Sequence, residues 1–216
     1  MTHGFLFDLD GVIIDSESEY TRIWSDIDRH FPTGVANFPI VIKGQTLTEI
    51  LNRYYPRNQH AAITDMLNTL EQQMKYNYLP GAREMLLELK SREIPSVLVT
   101  SSNEMKMRRL REELPELEGL FTDIVTADRI CHSKPDPEGF LLGARLCNAR
   151  PRDCVVFEDS LQGVTAGHRA GCYVVGLSTT LPAEQLRPMA DRIVETLSQI
   201  TIDEVIEAIE NKNKEP

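Results

Sequence analysis

The chain has 216 residues, 23 basic against 33 acidic, a formal net charge of −10 and 41% hydrophobic content. That length suits one large domain or a core with a smaller insert, and it needs no covalent staples. The negative balance lacks the basic stripe that tracks a phosphate backbone, which argues against a nucleic-acid partner. No 18-residue apolar run is present to span a membrane.

The first element is the apolar run Phe5–Leu9, read as a buried parallel strand. Asp8 and Asp10 close it. Side chains alternate along a strand, so these two carboxylates lean to the same side, and Gly11 permits a sharp turn just beyond them. Like charges held so close repel. A bound divalent cation or a shared proton relieves them; an acidic loop solvated by water is the alternative.

Helical patterns without a strand follow. Ser16-Glu17-Ser18-Glu19 is a capping box, and Tyr20, Ile23, Trp24 and Ile27 then repeat at helical spacing, which reads Tyr20 as core. The apolar run Phe38–Ile42 leads into Lys43-Gly44-Gln45. A second box, Thr46-Leu47-Thr48-Glu49, precedes Ile50, Leu51 and Tyr54. A third stripe carries Ile63, Met66, Leu67, Leu70 and Met74. Residues 15–80 are therefore predicted to form a small helical bundle inserted after the first strand. Leu79-Pro80-Gly81 returns the chain to a core made of residues 1–14 and 81–216.

Beyond that point strands and helices alternate. A helix is expected over Ala82–Arg92, a strand over Ser96–Thr100, a helix over Glu104–Leu114 and a strand over Asp123–Thr126. A helix over Lys134–Leu146, a strand over Cys154–Phe157, a helix over Leu161–Ala170 stopped by Gly171, and a strand over Cys172–Leu177 complete the series. Such alternation specifies an α/β fold, a Rossmann-like parallel sheet with helices on both faces. Cys131, Cys147, Cys154 and Cys172 show no C-x-x-C spacing, and Cys154 and Cys172 open apolar runs as buried small hydrophobes would. A reducing cytoplasm fits them better than a disulfide framework. The N-terminal run has no basic flank and is soon broken by aspartate, so no signal peptide is expected.

Ligands of open α/β sheets bind beyond the carboxyl ends of the strands. Asp8 and Asp10 wait at the end of the first. Thr100-Ser101-Ser102-Asn103 follows the second, offering hydroxyls and free N–H groups at a helix start, either as an anion site or as ordinary caps. Ser133-Lys134-Pro135-Asp136-Pro137 follows the third. Lys134 there opens a predicted helix, where its charge opposes the helix dipole and calls for a compensating anion. Glu158-Asp159-Ser160 ends the fourth strand and repeats the acidic pair of the first. His132 lies near Lys134, and His168 reads as surface.

D-L-D-G-V at Asp8–Val12, Thr100, S-K-P-D-P at Ser133–Pro137 and E-D-S at Glu158–Ser160 together resemble the haloacid dehalogenase (HAD) superfamily. The spacing is most similar to its β-phosphoglucomutase-like and phosphoglycolate phosphatase-like branch. The resemblance spans essentially the whole chain, with the helical insert similar to that family's cap. It implies a cytoplasmic, Mg²⁺-dependent phosphatase of small phosphorylated metabolites, sugar phosphates foremost, acting as a monomer or weak dimer. Asp8 would be the nucleophile that becomes an aspartyl-phosphate, and Asp10 the general acid and then base. Mg²⁺ would be held by Asp8, the backbone carbonyl of Asp10, and Asp159, with Glu158 as a ligand or behind the ligands. Thr100 and the Ser101 backbone, with Ser102 and Asn103 in the same patch, would hold phosphoryl oxygens, and Lys134 would offset their charge. The cap would recognise the leaving group, with Lys43, Gly44 and Gln45 in contact with it.

Two departures separate this chain from the mutases of that branch. Tyr20 stands where they carry a cap histidine, and Gln45, Thr46 and Leu47 stand where they carry an arginine after the cap-loop glycine. A phosphomutase is therefore the lesser reading. A phospho-acceptor module like the response-regulator receivers uses similar groups, but it is shorter and has no inserted bundle.

Overall fold

The computed structural model describes residues 2–42, 45, 47–102 and 104–214, apart from the Met105 side chain. Lys43, Gly44, Thr46 and Asn103 lie outside them. The chain divides into two compact units, Met1–Asp15 with Tyr76–Pro216, and Ser16–Lys75.

In the first unit six parallel strands form one sheet: β1 (Gly4–Phe7), β2 (Ser96–Val99), β3 (Asp123–Val125), β4 (Cys154–Glu158), β5 (Tyr173–Leu177) and β6 (Arg192–Val194), in the order β3-β2-β1-β4-β5-β6. The chain order reverses direction at β1, which places its carboxyl end beside that of β4. Every residue of β1, β2 and β4 is buried, as central strands covered on both faces require. Phe7 pairs with Phe157 across β1 and β4, and their rings stack with centroids 4.6 Å apart.

Side chains alternate, so the two faces of the sheet have different partners. Helices α7 (Glu138–Leu146) and α8 (Leu161–Ala170) pack with Leu6, Val97, Val99, Val156 and Val174. Helices α5 (Ala82–Ser91) and α10 (Ile202–Lys212) contact β2 and β4 through a different set of buried residues, including Leu86, Leu89, Val205 and Ile209. The remaining helices of this unit are α6 (Glu104–Glu113) and α9 (Ala183–Leu186). Cys147, Cys154 and Cys172 are buried and free, and Cys131 is exposed.

Three features differ from the sequence-based expectation. Strand β6 and helix α10 lie beyond the last predicted strand. Only one of the three residues of β6 is buried, so it offers no periodicity, whereas α10 carries a capping box between Thr201 and Glu204 that signals its start. The helix expected from Lys134 begins instead at Glu138. Pro135 and Pro137 bias the residues before them away from helical backbone, and Ser133–Asp136 closes as a turn through Asp136 N–H to the Ser133 carbonyl at 3.0 Å. The helix-dipole argument for Lys134 therefore does not apply, since Lys134 sits in that turn.

The second unit holds α1 (Ser16–His30), α2 (Phe38–Val41), α3 (Leu47–Tyr54) and α4 (His60–Glu71). Ile23, Trp24 and Ile27 of α1, Phe38 of α2, Ile50 and Leu51 of α3, and Ile63 and Leu67 of α4 are buried. Phe38 anchors this group, with Trp24 and Tyr54 edge-on at 6.0 Å and 5.2 Å. Tyr20 is not core: it is half-buried, and its hydroxyl donates to Glu71 Oε1 at 3.1 Å. Met74 is buried but lies past the end of α4. Among the described residues no helix is long and apolar enough to cross a membrane.

Candidate active site

The carboxyl end of β1 carries Asp8 directly onto the sheet, since its N–H donates to the Phe157 carbonyl at 3.0 Å and extends the ladder by one residue. Lys134, from the turn after β3, reaches the same point. Its ammonium donates to Asp8 Oδ1, to Glu158 Oε1 at 2.6 Å and to the Val99 carbonyl at 3.0 Å. These three acceptors come from the ends of β1, β4 and β2, and they use all three of its protons.

Glu158 is the most deeply buried carboxylate of the group. Its second oxygen accepts from Asp159 N–H at 3.0 Å, Ser160 N–H at 3.1 Å and the Ser160 hydroxyl at 2.9 Å. The Ser160 hydroxyl also caps α8 by accepting from Gly163 N–H. Residue 163 must be glycine, because a Cβ there would lie 1.8 Å from the Glu158 carboxylate. Asp159 faces the first loop. A Cβ on Gly11, whose φ is +73°, would come within 1.9 Å of Asp159 Oδ2, and that oxygen accepts from the Thr180 hydroxyl. Thr179 secures the same loop by donating to the Gly11 carbonyl at 2.5 Å.

Asp10 has a different setting. Its carboxylate is about one-third exposed, with both oxygens 2.6 Å from Lys106 Nζ and one of them 3.3 Å from the Ser102 hydroxyl. Thr100 is buried, and its hydroxyl accepts from Ser102 N–H at 3.0 Å, which shapes the turn after β2. Ser101 is exposed at that turn.

Burial raises Asp8 to about 7; Lys134 opposes the rise, while Glu158 and Asp10 add to it. Burial likewise lifts Asp159 to about 8, reinforced by Glu158 and Asp8 and opposed by the Thr180 hydrogen bond and Lys134. Burial works against the charge on Lys134, yet Asp8 and Glu158 together hold it above its ordinary value. Three buried carboxylates around one ammonium leave a surplus of negative charge. Such a set of hard oxygen donors suits a divalent cation of the Mg²⁺ kind.

Asp8, Asp10, Ser102, Lys134, Glu158 and Asp159 thus gather at the strand ends, with Thr100 supporting the turn. Gln45 belongs to the other unit, where its side-chain amide donates to the Val41 carbonyl at 3.0 Å. That unit holds its own cavity of about 370 Å³, lined by apolar Trp24, Ile50 and Leu67 and by polar Tyr20, Gln45, Asn68 and Glu71. His132 stands outside the strand-end network, exposed, with Nδ1 2.9 Å from Glu138 Oε2.

Sequence reasoning missed Lys106, Thr179 and Thr180. The two threonines lie just past β5, after Ser178, where the strand-end rule applies as well as it does after β1. Lys106 lies in the first turn of α6, where a cation opposes the helix dipole. The rule used for Lys134 holds for this lysine instead.

The fold and the site together define the class. The chain belongs to the haloacid dehalogenase-like hydrolases, whose family model matches residues 5–177. It is 33% identical over 204 residues to hexitol phosphatase A of Escherichia coli K12, covering 92% of this chain and 93% of that one. It is 28% identical to β-phosphoglucomutase of Bacillus subtilis, covering 92% and 91%. In structure it is similar to a HAD family hydrolase of Deinococcus radiodurans determined with bound phosphate and sodium. There the TM-score is 0.82 at 21% identity, covering 96% of this chain and 97% of that one.

Proposed function

We propose that the protein is a Mg²⁺-dependent phosphoric monoester hydrolase of small phosphorylated metabolites, sugar and polyol phosphates first among them. One observation carries this reading: a buried ammonium, Lys134, binds carboxylates from two different strand ends and a carbonyl from a third. Solvated loops have no reason to converge in that way.

In this reading Asp8 attacks phosphorus as the leaving oxygen departs, and Asp10 supplies that oxygen with a proton. Asp10, now a carboxylate, takes a proton from the water that attacks the aspartyl-phosphate, and the Asp8 carboxylate leaves. Lys134 spreads charge across Asp8 and the phosphoryl oxygens, and the Thr100 hydroxyl and the Ser101 N–H, with Ser102 beside them, hold those oxygens. Asp8, Asp159 and the Asp10 carbonyl would hold Mg²⁺. The bonds made by both oxygens of Glu158 favour it as the group that orients Lys134 and the Asp159 segment. When bound, the cation neutralises the surplus carboxylate charge and draws electrons from the phosphoryl group. The helical unit serves as the cap that selects the leaving group. Lys43 and Gly44 are proposed there with Gln45, and Asn103 is proposed at the phosphate, though the first two and Asn103 lie outside the described residues.

The phosphatase name of a relative covering nearly the whole chain supports hydrolysis over the mutase reading, as do Tyr20 and Gln45 in place of the mutase residues. The test is phosphate release from a panel of hexitol and hexose phosphates, phosphoglycolate and nucleotides, with and without chelator. Turnover of a polyol or sugar phosphate is expected, abolished by chelator and lowered more than about 1,000-fold by Asp8→Asn, with an unchanged circular dichroism spectrum. Chelator-resistant turnover, or an active Asp8→Asn variant, would defeat the proposal. Isomerisation of a hexose 1-phosphate in the presence of trace bisphosphate would replace it with the mutase.

A further inference from the structure

Lys106 has a place in the site that neither the sequence motifs nor the proposed roles account for. Its ammonium lies 2.6 Å from each oxygen of Asp10, and the Ser102 hydroxyl lies 3.3 Å from one of them. Asp8 and Asp159 are held by burial and by dense packing; Asp10 is about one-third exposed. A carboxylate so placed samples several rotamers unless polar groups orient it. Lys106 also stands in the first turn of α6, where its charge is unfavourable to the helix. A cation that opposes its own helix is retained where an anion outside the helix compensates it. Asp10 is that anion.

We propose that Lys106 is a positioning residue for Asp10, aiming its carboxyl group at the leaving oxygen. The inference rests on the phosphatase reading and on Asp10 as the proton donor. In that step the Asp10 O–H bond breaks as the bridging P–O bond breaks. The proton and the P–O electron pair both end on the departing alcohol oxygen, and the negative charge is left on Asp10 beside Lys106. Lys106 touches Asp10 and is not required to touch substrate. Its contribution appears only where the leaving group needs a proton.

Leaving-group dependence separates this role from a structural one. Nitrophenolate departs without a proton, whereas an alkoxide does not, and kcat/KM reports every step up to departure. The full chain is assayed with Mg²⁺ present on p-nitrophenyl phosphate and on the alkyl phosphate it hydrolyses fastest. Lys106→Met is expected to lower kcat/KM about 10- to 100-fold for the alkyl ester and less than about 3-fold for the nitrophenyl ester. Lys106→Arg should recover most of the loss. Near-normal nitrophenyl activity also shows that the variant is folded. Equal losses on both esters would make Lys106 a phosphate-binding or structural residue, and no loss on either would leave it without a role; both results overturn the inference. A wild-type protein inactive on both esters would instead overturn the phosphatase reading itself.

Discussion

The two units of the chain both bury apolar cores, but they differ in what else they enclose. The first encloses a buried polar network of three carboxylates, one ammonium and the hydroxyls around them, in which both oxygens of Glu158 and one each of Asp8 and Asp159 accept hydrogen bonds. The second is a bundle packed on aromatic and aliphatic side chains, and its charges form short-range helical pairs such as Arg22 with Glu19 at 2.9 Å. Surface pairs of that kind contribute about 0–1 kcal/mol. Removing one partner of a buried pair costs about 3–5 kcal/mol. Lys134 and Glu158 are each fixed at the strand ends by several hydrogen bonds.

The largest expected test of that contrast removes the shared cation. Lys134→Met leaves Asp8 and Glu158 buried without their partner, and the protein should lose about 3–5 kcal/mol in urea unfolding at neutral pH. The loss should shrink toward pH 5, where protons replace the missing charge. A loss below about 1 kcal/mol would mean that the network is not structural.

A smaller effect follows from pH alone. Asp159, raised to about 8, and Asp8, raised to about 7, bind protons in the folded state that an unfolded chain releases near 4. Stability of the metal-free protein should therefore fall as pH rises from about 4 to about 8, by more than about 1 kcal/mol, and level off above. Lys134, held above its ordinary value, contributes stability throughout this window and loses it only at higher pH. Added Mg²⁺ should narrow the fall, since a cation on these carboxylates replaces the protons. Urea midpoints at several pH values, with chelator and with Mg²⁺, measure both. A rise in stability with pH would contradict the raised values.

The smallest test lies in the helical unit. Ile23 is fully buried there, and Ile23→Val should cost about 1 kcal/mol from one lost methylene and its cavity. Hydrogen exchange should report this loss in Ser16–Lys75, with the same size at pH 5 and pH 8. A pH-dependent cost would show that the bundle shares the electrostatics of the other unit and that the contrast fails.

Much of this was readable from the residues. Continuous apolar runs ended by Asp8, Thr100 and Glu158 mark buried parallel strands and place the polar groups at their carboxyl ends, because alternation and burial are local properties of a strand. The stripes through Ile23, Trp24 and Ile27 and through Ile63 and Leu67 mark helices for the same reason. Other features depend on how distant segments meet. The sequence presents Lys134 as a helix-opening cation, whereas Pro135 and Pro137 keep it in a turn and its partners are Asp8, Glu158 and the Val99 carbonyl, from segments far apart in the chain. The pairing of Lys106 with Asp10 spans 96 positions, and no spacing rule reaches so far. Strand β6 is too short to show a period and exists because β5 offers it an edge. Local chemistry writes the elements and the kinds of group at their ends. Which ammonium meets which carboxylate is settled by long-range packing, where each pairing depends on the burial that the whole sheet provides.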